Sequence, residues 1–310
     1  MKKLLLFSVS CAAALAANAK AFIPMYEGVY YEPLDIVIAF CGSATSPDSR
    51  AIDANGNCAW GGSVNFAGWA SKVESYNPTN VPPIWRNTQN ALGKATMTDT
   101  SDVVVLGDAG SITLSFGGSI YNGAGYDFVV FENALNDTFL EFGFVEVSTD
   151  GSHFVRFPNF YLGSEPVGPD NVEGGGVNDP TYVYNLGSKY SIGNGGGYDL
   201  EELKQVYDYI QSGGETFSSD YVSDFLSNYV FLDFNNIRYV RIVDVVGDGN
   251  TLDSSGTPIY DAYPTHGSPG FDLSGVAAVY LAAVPEPAKT ALALSAAALA
   301  FCAAARRRRK

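Results

Sequence analysis

Histidine is almost missing from this 310-residue chain: His153 and His266 are the two that occur. Both sit in turn-rich surroundings, His153 beside Asp150-Gly151 and His266 in a Pro/Gly/Ser stretch, and read as surface loop residues. A zinc centre or a histidine-based catalytic triad needs more than two separated imidazoles. The G-x-S-x-G sequence of a nucleophile elbow is absent too. The glycine runs Gly174–Gly176 and Gly195–Gly197 lack the Lys-Ser/Thr partner of a phosphate-binding loop. Positive charge is equally scarce, with 18 Lys and Arg against 33 Asp and Glu. Seven of the cations (Lys2, Lys3, Arg306, Arg307, Arg308, Arg309 and Lys310) crowd the chain ends, so the formal charge of −15 becomes about −22 for the body between them. Such a body cannot neutralise phosphates, which argues against nucleic acid as a partner. It also repels anionic lipid head groups. Divalent cations, neutral glycans and cationic partners stay open to it.

Long hydrophobic runs are missing from the body and present at both ends. At the first end, Lys2 and Lys3 precede an apolar stretch from Leu4 to Ala16 and the small-residue site Ala17-Asn18-Ala19. That order reads as a signal peptide over residues 1–19, cut by signal peptidase after Ala19 with Ala21 as a near alternative. Ser8-Val9-Ser10 before Cys11 lacks the leucine of a lipoprotein signal, so ordinary export is expected. At the other end, Val284-Pro285-Glu286-Pro287 is followed by an Ala/Leu run from Ala291 to Ala305 and then by five cations. The prolines keep their segment extended and accessible. The apolar run is a little short of the ~20 residues that a free-standing span prefers. The terminal cations would hold that end in the cytoplasm. This three-part order resembles the PEP-CTERM protein-sorting signal of Gram-negative bacteria. The likeness covers residues 284–310 and implies sorting by the membrane enzyme exosortase at the motif Pro285, Glu286, Pro287. It further implies a transient transmembrane helix and a final place at the cell surface or in the extracellular matrix. An ordinary C-terminal membrane anchor is the plainer alternative.

Cysteine is sparse as well. Of four, Cys11 and Cys302 lie in the terminal segments, leaving Cys41 and Cys58 as an even pair in an oxidising compartment. A disulfide between them would close a polar loop and stabilise by about 3 kcal/mol in the chain-entropy model.

Residues 20–283 are long enough for one large domain. Short apolar runs separated by turn residues, with much Gly, Tyr, Phe and Val, predict an all-β sandwich. Strands are expected over Asp35–Phe40, Val103–Leu106, Ser111–Phe116, Asp127–Phe131, Phe144–Ser148, Phe154–Phe157, Arg238–Val246 and Val276–Ala282. Ser111–Phe116 alternates polar and apolar, the pattern of a strand with one wet face. Val103–Val105 and Phe128–Phe131 are continuously apolar and read as central strands. Thr149-Asp150-Gly151-Ser152 predicts a hairpin turn. Residues 164–232 read as a partly helical insertion made flexible by its glycine runs. Asp199 is placed to cap a helix whose apolar face is Leu200, Leu203, Val206, Tyr207 and Ile210, and a second helix is expected from Ser219 to about Leu226. Three similar tetrapeptides, Gly125-Tyr126-Asp127-Phe128, Gly197-Tyr198-Asp199-Leu200 and Gly270-Phe271-Asp272-Leu273, read as separate entries into structure. In each, the aromatic is expected inside and the Asp as a cap or turn ligand.

The body carries a second resemblance. Asn90–Gly93, Val105–Leu114, Tyr126–Asn133, Val145–Gly151 and Tyr239–Asp244 look like a recurring bacterial cell-surface domain. Their order is similar to galactose-binding-like and discoidin-type jelly rolls, over roughly residues 66–280. That likeness implies an eight-stranded jelly-roll β-sandwich presenting loops at one end, often with a structural calcium ion, and it assigns no chemistry.

Candidate chemistry is confined to oxygen ligands and rings. Glu132 and Glu141 flank a loop and could be drawn as a glycosidase pair, although so acidic a chain yields such pairs by chance. Asp244, Asp248, Asn250, Asp253 and Asp261 crowd a glycine-flexed stretch and suit a structural Ca²⁺, with a self-bonded turn as the plain alternative. Trp60, beside Cys58 and Gly61-Gly62, and Tyr121 are candidate sugar-stacking rings, while Trp69 is expected in the core. The resulting expectation is an exported, non-catalytic module that binds extracellular polysaccharide in the envelope or biofilm. The rivals are a glycan-active enzyme and a structural envelope protein with no ligand site.

Overall fold

The structure, a computed structural model, describes residues 51–283 except 60, 61, 97, 135–137, 170–177 and 188. The signal segment, the expected strand Asp35–Phe40, Cys41, Trp60, Gly174–Gly176 and the tail 284–310 lie outside the described residues. The strands begin with β1 (Ala51–Asp53), β2 (Gly68–Trp69), β3 (Lys72–Asn77), β4 (Val104–Val105), β5 (Ser111–Ile120) and β6 (Phe128–Glu132). Next come β7 (Gly143–Ser148), β8 (Val155–Arg156), β9 (Phe160–Tyr161), β10 (Val183–Tyr184) and β11 (Asn194–Tyr198). Helices α1 (Glu201–Gln211) and α2 (Ser219–Tyr229) follow. The last strands are β12 (Ile237–Asp244), β13 (Asp248–Leu252), β14 (Pro258–Tyr260), β15 (Asp272–Ala278) and β16 (Leu281–Ala283). Among the described residues no helix is long and apolar enough to cross a membrane.

Two six-stranded antiparallel sheets account for the body, as the composition predicted. In one, the path runs β16-β5-β12-β7-β8, with β3 and β16 end to end along the same edge of β5. In the other it runs β1-β11-β6-β15-β2, with β4 and β2 sharing an edge of β15. Strand alternation explains why they pack. Ile112 and Leu114 of β5, Val240 and Ile242 of β12, and Val145 and Val147 of β7 point inward. They meet Phe128 and Val130 of β6 and Leu273 and Val276 of β15 in one core. The intervening residues Ser111, Thr113 and Ser115 make the opposite, polar face, half-buried at the two serines and covered at Thr113.

β6 is continuously apolar because both its faces are covered. Phe128 and Val130 enter the main core, while Val129 and Phe131 enter a second cluster with Ile52, Cys58 and Ala277. Trp69 packs there too, with its ring 5.3 Å from Phe131. Val103–Val105, read as central, instead contributes the two-residue margin strand β4, buried under Val81 and Trp85.

The stretch 164–232 is not merely an insertion. It supplies β11, which sits between β1 and β6, so Gly195–Gly197 form a ladder strand and not a hinge. Glycine is needed because the Tyr126 ring lies flat on it; a Cβ at Gly197 would stand 2.6 Å from that ring. The helices then close the core. Leu203 and Val206 of α1 and Tyr221 and Phe225 of α2 are buried in it. Both helices run close to their expected bounds, and α2 continues to Tyr229 through rings spaced four residues apart.

In all three tetrapeptides the aromatic is inside, as read, and in the first two the Asp binds nearby backbone N–H groups, whereas Asp272 opens strand β15. Tyr126, Tyr198 and Phe271 are buried. Asp127 accepts from the N–H groups of Gly123 and Leu200, each at 2.7 Å, tying the start of β6 to the start of α1. Asp199 accepts from Glu201 N–H at 2.8 Å, so two carboxylates share the orphan donors of the first turn. Burial pushes Asp127 up to about 7 and Asp199 up to about 8.

Candidate functional site

The outward phase of the β5–β12 sheet builds a polar platform. Ser75, Thr113, Arg241, Glu146 and Arg156 stand in one row across β3, β5, β12, β7 and β8. Glu146 is buried and bridged from both sides, by Arg241 Nε and by Arg156 at 2.9 Å. Each guanidinium also lies 3.8 Å over a ring, Arg241 over Phe154 and Arg156 over Phe144. Planar guanidinium groups held at edge and face are fixed in place.

Above this row lies a groove of about 360 Å³. Its floor is Ser111, Thr113, Tyr239 and Arg241, and its walls are Glu74, Asn77, Asp150 and Phe154. Glu74 sits at a register shift between Val73 and Ser75, which turns its carboxylate to meet Ser115 Oγ at 2.6 Å. The opposite wall is the 149–152 hairpin, where Asp150 gathers the N–H groups of Ser152 and His153 and the His153 ring. Those bonds hold Asp150 well below the usual carboxylate range, and hydrogen bonds from Lys72 and Ser115 lower Glu74. Both groove carboxylates are therefore ionised acceptors at neutral pH. Volume and lining suit a short stretch of polar ligand with one aromatic floor ring.

A second feature closes one end of the sandwich. Glu132 continues the inward phase of Phe128 and Val130 on β6, and Asp244 continues that of Val240 and Ile242 on β12. The core thus gives way to carboxylates where those strands end. Glu141, before β7, accepts from Gly270 N–H at 3.0 Å. Asp244 accepts from Phe271 N–H at 2.7 Å and Ala109 N–H at 2.9 Å, and Asp261 accepts from Phe142 N–H at 3.1 Å. Asp272 opens β15 beside them. Burial first, and then the neighbouring carboxylates, push Glu132, Glu141, Asp244 and Asp261 well above their ordinary values. Burial likewise raises Asp272 to about 8. Oε2 of Glu132 and Oδ1 of Asp272 are enclosed and accept no hydrogen bond.

Of the residues expected at a calcium loop, Asp244 and Asp261 come together in this acidic end, and the other three do not join them. Asp248, at the start of β13, accepts from the N–H and Nδ2 of Asn250 and is exposed and self-bonded. Asp253 accepts from Ser255, Thr257 and Tyr161 and pins a separate turn. Glu132 and Glu141, drawn as a catalytic pair, are buried, at 1% and 3% exposure, and belong to the acidic end instead. Cys58 is buried, with its thiol 3.8 Å from Gly56 O, and its expected partner Cys41 lies outside the described residues, as do Trp60 and Pro285, Glu286 and Pro287. Tyr121 is half-buried against Tyr280, with ring centres 5.5 Å apart, away from the groove.

The groove lies on a strand face and not in the loops where binding residues were expected, although its signal is present in the sequence. The outward phase of Ser111–Phe116 and that of Tyr239, Arg241 and Val243 are both readable as alternation. No protein-family model and no curated protein matches the chain.

Proposed function

We propose that this chain is an exported cell-surface or matrix protein whose β-sandwich binds extracellular polysaccharide in the groove of the β5–β12 sheet, without catalysis. The groove itself carries the reading: a concavity of about 360 Å³ with Tyr239 in its floor among fixed donors and acceptors. Neutral sugars are recognised by such a mixture, a ring for the apolar sugar face and a ring of polar groups for the hydroxyls. Arg241, Asn77, Ser111 and Thr113 offer donors, while Glu74 and Asp150 offer ionised acceptors. A glycosidase would need one of its two carboxyls protonated near neutrality, and hydrogen bonding lowers both groove carboxyls. This favours binding over hydrolysis. The strong negative charge of the body selects neutral or cationic glycans over acidic ones.

The two packed antiparallel sheets support a jelly-roll, galactose-binding-like body. Export through the 1–19 signal and sorting by exosortase at Pro285-Glu286-Pro287 supply the location, and the apolar segment within 284–310 serves as a transient membrane anchor. Replacing Pro285 and Pro287 with Ala is expected to leave the tail uncleaved in the producing cell, read by intact mass.

Affinity electrophoresis of the purified protein through gels containing neutral or amino-sugar polysaccharides tests the binding. Retardation by at least one polysaccharide, lost in Tyr239→Ala, is expected. Unretarded migration in all of them would favour a purely structural envelope role. Release of reducing sugar by the purified protein, lost on substitution of Glu74 or Asp150, would favour the enzyme.

A further inference from the structure

We propose that the groove is continued past the 149–152 hairpin by the ring of Phe231, which seats a further sugar, so that the site takes an extended stretch of polysaccharide chain. This rests on the reading of the groove as a polysaccharide site and adds to it the length of the ligand and a second stacking ring.

The hairpin reaches both rings. At its tip, Gly151 leaves room for the floor ring, since a Cβ there would stand 3.1 Å from Tyr239. Asp150, in the groove wall, holds His153 Nδ1 at 2.8 Å. The His153 imidazole in turn lies on Phe231, with ring centres 3.7 Å and planes 18° apart. A path of contacts therefore leads from the floor of the groove, over the hairpin, to Phe231.

Phe231 is set in place and does not fray from the end of α2. Its N–H donates to Asn228 O at 3.1 Å, and Leu232 and Phe234 beyond it pack against the main core. Asp233 N–H donates to Thr149 Oγ1 at 2.8 Å, which ties this stretch to the hairpin. The imidazole covers one face of the Phe231 ring, so the 50% of the residue left in water includes the other face. Val230 beside it is 72% exposed. A ligand that covers apolar surface already fixed in this way gains the burial without the cost of ordering it.

The size and surroundings of the patch select the occupant. One ring and one valine fall far short of the ~1,000 Å² that a stable protein partner needs. The carboxylate of Asp150 beside them disfavours an anionic lipid surface. A flat ring with one open face, next to fixed polar groups, suits the apolar face of a pyranose.

The experiment is calorimetric titration of the purified full-length protein with neutral and amino-sugar oligosaccharides, each as a short and a long member of one linkage. The long member is expected to bind roughly tenfold tighter than the short one. Phe231→Ala and Phe231→Leu should bring the long member down to the affinity of the short one and leave the short one unchanged. Phe231→Leu keeps apolar bulk without a flat ring, and it decides the matter alone should Phe231→Ala fail to fold. Phe231→Tyr should keep the preference for length. Ile84→Ala, at an apolar side chain 78% exposed and outside the groove lining, should behave as the parent does. Equal binding of short and long members by the parent, or a preference that survives in Phe231→Leu, overturns the continuation and leaves the groove reading standing. Binding of no oligosaccharide by the parent overturns both.

Discussion

Arg241 and Glu146 stand directly opposite each other on β12 and β7, and Arg241 Nε donates to the Glu146 carboxylate. The pair fixes the groove floor, because the same guanidinium that neutralises Glu146 also lies over Phe154 in the groove wall. Removing it would unseat both. Arg241→Ala is expected to destabilise the protein by about 1–3 kcal/mol, less than a fully buried pair would cost, since Arg156 still faces Glu146 and Arg241 is one-third exposed. Urea unfolding measures this. Polysaccharide affinity should fall in the same variant, and Arg241→Lys should recover stability better than affinity.

The core closed by the helices is expected to be sensitive to truncation on α2. Phe225 is 1% exposed and packs between Tyr221 and Tyr229. Phe225→Ala should cost about 3–5 kcal/mol in chemical denaturation. Ser218, whose side chain caps α2 through Tyr221 N–H, should cost about 1 kcal/mol when replaced by Ala.

Gly270 is the backbone hinge on which the acidic end is built. Its φ is +77°, and a Cβ there would stand 2.4 Å from Asp244 Oδ1. Gly270→Ala therefore meets strain and collision together and should cost more than the ~1 kcal/mol of an uncrowded left-handed site. A Tm equal to that of the parent would contradict the placement of Asp244.

Stability should fall with rising pH through Asp199. Its folded value, about 8, lies above the ordinary 3.8 because of burial, so the folded state holds a proton that the unfolded chain releases. The stabilisation is complete below about pH 4 and is lost as pH rises through 8. Asp199→Asn removes this dependence. Relative to the parent, the variant should gain roughly 1–3 kcal/mol between pH 5 and pH 9, measured as the difference between two urea series.

Much of the fold was legible where local chemistry decides it. The Thr149–Ser152 turn, the alternation of Ser111–Phe116, the two helices and the buried rings of the three tetrapeptides all follow from period and capping. β11 was not legible, because Gly195–Gly197 have no side chains to show a period, yet they pair with both β1 and β6 and leave room for the Tyr126 ring over Gly197. Nor was the partition of the acids. Asp244, Asp248 and Asp253 are neighbours in sequence, but alternation sends Asp244 inward while tight turns keep Asp248 and Asp253 to themselves. Glu132 could have been recognised as the charged continuation of an inward phase, a position that an apolar core does not tolerate without a partner.

The most direct measurement is a glycan array probed side by side with the purified protein and its Tyr239→Ala variant. Tyr239 faces outward in the groove floor, so the variant should fold as the parent does. Binding of the parent to neutral or amino-sugar glycans, with at least tenfold weaker binding by the variant, is the predicted result. Equal binding by both proteins, or by neither, would contradict the assignment of the groove.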